Sequence, residues 1–571
     1  MQAFYRNSKH SNVQLILAVL SVVLIISVIL LVFARDANKE YYKRWPLEGD
    51  TASYWLRDIR LTTHIHDNSS DTGATKNHRF KALLGARQNQ RDPIRTAFFS
   101  LLSAKAPYSV NGHLPFSICA VFIFFSFLIT ALYKRSNSLT YAIGVSLIAL
   151  LPVTFLNPMY GLPSKLPDVP ASLLFGAALF AMFSAADTKK SELCWTFTAG
   201  VLLGLATLTR YHVWIYGVFT LAPVAFILGC KHYLQERRNI FNLLAFPAVF
   251  FLGLGLIAGY FIAENLISTL KFYSTAGYAL NVTVLTSIKS TGRQFLEYLG
   301  KPAILAILLI AASYTTLNYD PKHKPSKWDS ISIAWALIAY PILLFGIMKV
   351  EAMVDQSYYV IPGLLISFLS PFRVNINSVY NDKFKIYAAT ICCIIPIFVY
   401  ISYTSYLKSE FFLYPRPDKI EIAKFQEQLV DLVANNIKAN SNVMTISSNF
   451  SYYERYVEPL LIKKHGLKSN AIQTFEIRQS QWKIGYTGTF AKDKALIIDA
   501  LNKKVDIFIA LTKPVKNKMP ETFIDDYTES VAVHVNHEIS QQTSNWRKIG
   551  VVEGPYGEVS IYRNTQRSDP A

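Results

Sequence analysis

The sequence predicts a polytopic α-helical membrane protein of about eleven spans, followed by a C-terminal α/β domain outside the membrane. Three observations predict it. Of the 571 residues, 51% are hydrophobic and only 17% charged, below the roughly 25% charged of a soluble domain. The apolar residues gather into runs near the ~20 residues that a helix needs to cross ~30 Å of hydrocarbon. Every second link between runs is short and basic, as cytoplasmic links are. The net charge of +19 therefore reads as membrane topology. A nucleic-acid binder would gather its Lys and Arg on a soluble face instead.

The first run, Val13 to Phe33, exceeds the roughly 7–15 apolar residues of a signal-peptide core. It reads as a retained signal anchor, with cleavage after Ala34 as the alternative. Further runs lie near 114–133, 139–156, 168–186, 194–209, 212–230, 240–263, 301–318, 330–348, 357–372 and 386–406. Arg210 and His212 interrupt the chain between the fifth and sixth runs. With Arg6 and Lys9 cytoplasmic, the links "YKRSNS", "DTKKSE", "CKHYLQERRN", "YDPKHKPSKWD" and "NDKFK" all fall on the cytoplasmic side. An odd number of helices then puts the C-terminus outside. Residues 1–409 form the membrane domain, with a first outer loop, 35–113, holding two interfacial helices. Residues 410–571 form the extracytoplasmic domain. Its runs "NVMTISS", "VDIFIALT" and "EVSIYR" suit strands, and "EIAKFQEQLVDLVANNI" suits a helix. The five cysteines, Cys119, Cys194, Cys230, Cys392 and Cys393, lie in or beside apolar runs. They suit small apolar packing, and neither a disulfide framework nor a zinc spacing emerges.

Candidate chemistry collects on the outer side. In "EGDTASYWLRD", Asp50, Tyr54 and Asp58 are four apart, so a helix stacks them on one face. Asp50 also suits a helix N-cap, which is its plain structural reading. "RDPIRTAFFSLLSA" opens with a proline and continues with helical apolar spacing, as an interfacial helix does. "SKLPDVPASLLFGAALF" sets Lys165 and Asp168 where the fourth span re-enters the membrane. Arg210 follows the fifth span, and in "MKVEAMVDQSYYVIPGL" Lys349 precedes the tenth span and Tyr358 stands at its start. Ionisable groups at membrane depth are functional candidates by default. Converging cations there suit a phosphate.

In combination these stretches resemble the multi-spanning, lipid-phosphate-sugar-dependent glycosyltransferases of the GT-C superfamily. In pattern they are similar to the protein O-mannosyltransferases and the aminoarabinose lipid A transferases. "EGDTASYWLRD" resembles the family's acidic motif after the first span, and "RDPIRTAFFSLLSA" its second interfacial helix. "KLPDVPASLLFGAAL" resembles the second acidic position, "GLATLTR" the Gly-rich run ending in a basic residue, and "DQSYYVIPGL" a late aromatic–x–x–Pro pattern. The first motif has Gly–Asp where many members have paired acids, and the late motif lacks an Arg before its aromatic. The resemblance covers roughly residues 10–375.

The resemblance implies a GT-C-like fold in the cytoplasmic (inner) membrane and a polyprenyl-phosphate sugar donor. The acceptor is a lipid, glycan or protein hydroxyl. It implies Asp50 as general base, Asp168 as an auxiliary carboxylate that orients the acceptor and is able to take a divalent metal, and Arg210 and Lys349 on the donor phosphate. Tyr54, Asp58, Lys165 and Tyr358 are the substrate-binding candidates. Two other readings share the composition. One is a transporter or flippase of a lipid-linked sugar, which predicts internal repeats with broken helices. The other is a non-catalytic anchor for the C-terminal domain.

Overall fold

The computed structural model describes residues 2–44, 55, 58, 94, 95, 98 and 109–275 with short gaps. It also describes parts of 285–293, 327–343, 390–401, 417–446, 461, 472–475, 490–514, 526–554 and 557–567. The chain divides into two compact units. One holds residues 1–38, 83–98 and 113–408, and the other holds 39–82, 99–112 and 409–571.

The first unit is helical. Helix α1 runs Gln2–Arg44. It buries one stripe, Val19, Val23, Ile26 and Leu30, and exposes Leu17, Leu24, Ile25, Val28 and Val32. Such an apolar face is a liability in water and at home against lipid tails. After it come α2 (Leu114–Ser136), α3 (Leu139–Ser146), α4 (Asp168–Phe183), α5 (Lys189–Thr209), α6 (Val213–Gln235), α7 (Ile240–Leu254), α8 (Tyr260–Thr275) and α9 (Lys327–Pro341). Among the described residues, five stretches are long and apolar enough to cross a membrane: Gln14–Lys39, Leu114–Lys134, Lys190–Thr209, Val213–Gln235 and Ile240–Ile267. They correspond to the first, second, fifth, sixth and seventh runs. The chain is an integral membrane protein. The runs at 301–318 and 357–372 lie outside the described residues.

Two spans differ from expectation. The third, 139–156, is not one helix: α3 ends at Ser146 and two 3-10 turns follow, Leu147–Leu150 and Val153–Leu156. Pro152 stands between them. It has no N–H to donate, which disfavours a regular helix across it, although α6 and α7 carry Pro223 and Pro247 within them. The fourth span, α4, has 16 residues and all are buried. At 1.5 Å per residue it is about 24 Å long, short of a bilayer core. The chain entering it, residues 161–167, is non-helical and also wholly buried. Irregular backbone at membrane depth is tolerated where protein covers it.

Helix α4 packs against α2 and α5, and α7 packs against α5 and α6. The α5–α7 crossing is close because both helices present glycine. A Cβ on Gly200 would sit 2.2 Å from the Phe250 carbonyl oxygen, and one on Gly253 would sit 2.5 Å from that of Phe197. Small residues let membrane helices approach backbone to backbone. A π-helical turn, Gly255–Gly259, joins α7 to α8. Helix α9 docks on α6 through Trp335, whose indole N–H donates to the Phe219 carbonyl at 3.3 Å.

The second unit contains a five-stranded mixed sheet. Its helices and strands are α10 (Pro417–Ala434), β1 (Val443–Ile446), β2 (Ile472–Phe475), α11 (Phe490–Lys504), β3 (Ile507–Pro514), α12 (Asp526–Gln541), β4 (Trp546–Gly554) and β5 (Gly557–Asn564). The strand order is β2-β1-β3-β5-β4. β1 pairs in parallel with β2 and β3, and β5 pairs antiparallel with β3 and β4. Leu501, Val505, Phe508, Val535, Ile539 and Trp546 make its core. The β4–β5 hairpin turns at Gly557, whose φ of 133° is open to glycine alone at little cost.

The two kinds of glycine in the helical unit make opposite predictions. Gly200→Ala must push α7 away and should cost about 1–3 kcal/mol. Gly255 has nothing within 4 Å of an added Cβ, so Gly255→Ala should leave stability nearly unchanged. Thermal unfolding in detergent measures both, and equal losses would contradict the crossing.

Candidate functional site

The segment "GLPSKLPDVP", residues 161–170, leads into α4 and is buried throughout. Its prolines, Pro163, Pro167 and Pro170, donate no backbone hydrogen bond, so no regular ladder can form here. Local bonds fold it instead. Gly161 N–H donates to the Asn157 carbonyl at 2.7 Å, Leu162 N–H to that of Phe155 at 2.7 Å, and Ser164 N–H to that of Gly161 at 3.0 Å. Leu166 N–H donates to the Ser164 hydroxyl at 3.3 Å.

Buried carbonyls need donors, and three side chains from three other segments supply them. The Asn38 amide, near the end of α1, donates to the Pro163 carbonyl at 2.9 Å. His113 Nε2 donates to that same carbonyl at 2.7 Å. A carbonyl only accepts, so His113 carries its proton on Nε2. Arg95 donates through its guanidinium to the Lys165 carbonyl. Asn38, Arg95 and His113 are themselves 0%, 1% and 2% exposed. These three are absent from the sequence-based candidates. Arg95 sits in the "RDPIRTAFF" stretch, which was judged by its apolar residues, and nothing local marks Asn38 or His113.

Asp168 opens α4. The N-cap is Pro167, which makes no side-chain cap bond, so Asp168 is the first residue of the helix and not its cap. Its Oδ1 lies 3.0 Å from Arg210 Nε, with the Asp168 side chain 1% exposed and that of Arg210 14%. Arg210 stands one residue beyond α5, its N–H donating to the Ala206 carbonyl at 2.8 Å. Each charge thus sits at the helix end whose dipole favours it, the carboxylate at an N-terminus and the guanidinium at a C-terminus. The turn from Arg210 to His212 is pinned by rings: Tyr211 meets Phe261 at 5.3 Å and His212 meets Tyr216 at 5.4 Å.

The structure therefore brings Asp168 and Arg210 together and puts Lys165 in the same buried segment. Among the described residues, buried Arg95, Lys165 and Asp168 and half-buried Arg210 belong to this part of the unit. Asp58 is helical and buried, but belongs to the second unit. Asp50, Tyr54, Lys349 and Tyr358 lie outside the described residues. Among the described residues, no three His, Cys, Asp or Glu side chains group so as to hold a metal ion. The described part of the site does not make the donor set of a divalent cation.

A second buried charge cluster is separate from this one. Glu192, in the first turn of α5, pairs with Lys231 at 2.6 Å and with His232, both near the end of α6. His232 stacks on Phe246 at 5.1 Å. Eighteen residues of helix separate Glu192 from Arg210, about 27 Å, so the two clusters cannot serve one reacting centre.

No family model matches the chain, and neither does any curated protein. Solved structures do. The crystal structure of ArnT from Cupriavidus metallidurans bound to undecaprenyl phosphate superimposes with a TM-score of 0.53 at 10% identity, covering 96% of this chain and 98% of that one. The Archaeoglobus fulgidus oligosaccharyltransferase in complex with Zn and sulfate gives a TM-score of 0.44 at 14% identity, covering 95% and 74%. The first match shows that this chain has the ArnT fold over nearly its whole length.

The ion pair predicts an asymmetry in stability. Arg210→Leu strands a buried carboxylate and should cost about 3–5 kcal/mol. Replacing both partners, Asp168→Leu with Arg210→Leu, should cost clearly less, because no charge is left uncompensated. Thermal unfolding of the two variants compares them, and a double variant as unstable as the single would contradict the pairing.

Proposed function

We propose that this protein is a membrane glycosyltransferase that moves a sugar from a polyprenyl-phosphate donor to an acceptor hydroxyl on the outer face of the cytoplasmic membrane. The observation that carries the reading is the buried Asp168–Arg210 pair at the start of α4, in a fold shared with an enzyme solved with undecaprenyl phosphate.

The reaction needs two kinds of group. The acceptor oxygen forms a bond to the anomeric carbon as the bond from that carbon to the phosphate oxygen breaks. The acceptor proton passes to a carboxylate, and the bond pair leaves on the lipid phosphate. We assign the base to Asp50, since a carboxylate within hydrogen-bond reach serves this step. Arg210 and Lys349 are assigned to the departing phosphate, where preorganised cations lower the barrier most. Arginine suits a double task here: its planar fork has five N–H donors, and Nε engages Asp168. In this assignment Asp168 orients Arg210 and, through it, the donor. Tyr54, Asp58, Lys165 and Tyr358 are assigned to contact substrate. A single displacement inverts the anomeric centre. We also propose that the C-terminal α/β part is extracytoplasmic, since basic residues concentrate in the links read as cytoplasmic.

Asp50→Asn tests the assignment. Loss of a general base should slow transfer by on the order of 100-fold or more. Mass spectrometry of surface glycans, with wild-type protein or the variant as sole source, should show the product vanish. Wild-type product from the variant would remove Asp50 as base.

A further inference from the structure

Two helices meet at one carbonyl oxygen. The Pro163 carbonyl receives Asn38 from α1 at 2.9 Å and His113 at 2.7 Å. His113 is held in turn at the start of α2, where its own carbonyl accepts from Ser117 N–H at 3.3 Å. Two residues on, the Lys165 carbonyl receives Arg95. Three residues after that comes Asp168, bound to Arg210.

One donor would relieve the desolvation cost of a buried carbonyl. Two donors from separate helices do more, because they occupy both lone pairs and leave the oxygen little freedom to move. The prolines on either side fix φ, so the position of Pro163 is transmitted along a stiff stretch to Lys165 and Asp168. Groups that hold a site's backbone in this way set the precision of the side chains it carries. No other part of the helical unit shows, among its described residues, buried side-chain donors from three distant segments converging on adjacent turns of one loop.

We infer that Asn38 and His113 are positioning residues for the lipid-phosphate site: they lock the Pro163 carbonyl and thereby hold Lys165 and the Asp168–Arg210 pair in register for the donor. The inference rests on the polyprenyl-phosphate reading above. It assigns these two residues no contact with substrate. It predicts that removing the latch loosens donor binding even where the helical unit stays folded.

The test uses full-length protein in lipid nanodiscs, undecaprenyl phosphate as probe, and two readouts, Kd and Tm. Asn38→Leu and His113→Phe remove the donors at similar volume. His113→Gln keeps a neutral N–H donor. Gly200→Ala destabilises the unit at the distant α5–α7 crossing and serves as a control for stability alone. The expected result is a Kd weakened about threefold in each single variant and about tenfold or more in the double, since small misplacements at a site carry large penalties. His113→Gln should keep most of the affinity, and Gly200→Ala should lower Tm with Kd unchanged. If the latch variants lower Tm but bind undecaprenyl phosphate like wild type, the latch is purely structural and the inference falls. If the double variant does not fold, the two single variants carry the comparison, with the same outcomes. If the wild-type protein does not bind the probe at all, the lipid-phosphate reading falls and takes this inference with it.

Discussion

A carboxylate with no water around it governs this end of the helical unit. Asp168 is 0% exposed, and burying a lone ionised carboxylate would cost several kcal/mol even after relaxation. Arg210 offsets that cost at 3.0 Å, which in turn fixes where α5 must end and how α6 must begin. The turn between them cannot drift, because its one charged side chain is tied to another helix. The close α5–α7 contact at Gly200 and Gly253 then sets α7 against the same framework. The position of one carboxylate thus propagates through the packing of several helices.

The segment before Asp168 imposes the second requirement. A helix satisfies its own backbone, and a proline-rich loop does not. Residues 161–167 are buried without helical bonds, so their carbonyls draw donors from elsewhere: Asn38, His113 and Arg95. This explains why polar side chains are spent in the interior of an otherwise apolar bundle. It also explains the length of α4, which starts late because the chain before it is committed to an irregular path. Glu192 with Lys231 and His232 is the simpler case at the far end of α5. There a carboxylate in a first turn clasps two neighbours near the last turn of α6, and no loop is involved.

Much of the membrane fold was legible because the bilayer imposes a length and a hydropathy that can be read one residue at a time. The break between Thr209 and Val213 was visible in Arg210 and His212, and the strands β1, β3 and β5 in their apolar, β-branched runs. The third run does not form one regular helix, which hydropathy could not signal because it counts apolar residues and not backbone geometry. In the site, Asp168 and Arg210 could be named separately as charges beside apolar runs. Their pairing could not, since it depends on α4 and α5 lying side by side. Asn38, Arg95 and His113 were illegible for a deeper reason. Their role is to satisfy backbone carbonyls, and a carbonyl leaves no mark in a sequence.

That difference bears on how the site works. A guanidinium wholly committed to a buried carboxylate would be a structural staple and nothing more. Arg210 is instead the more accessible member of its pair, 14% exposed against 1%. Its Nε lies 3.0 Å from the Asp168 carboxylate, so the two charges hold each other close. In the proposed function a guanidinium held near a carboxylate can still turn planar donors to a phosphate. Preorganisation of this kind reduces what must be ordered on binding. Asp168, assigned as an auxiliary carboxylate, thus also acts electrostatically on its neighbour. Its burial keeps the arginine close, and in the proposed function that arginine is the group assigned to the donor phosphate.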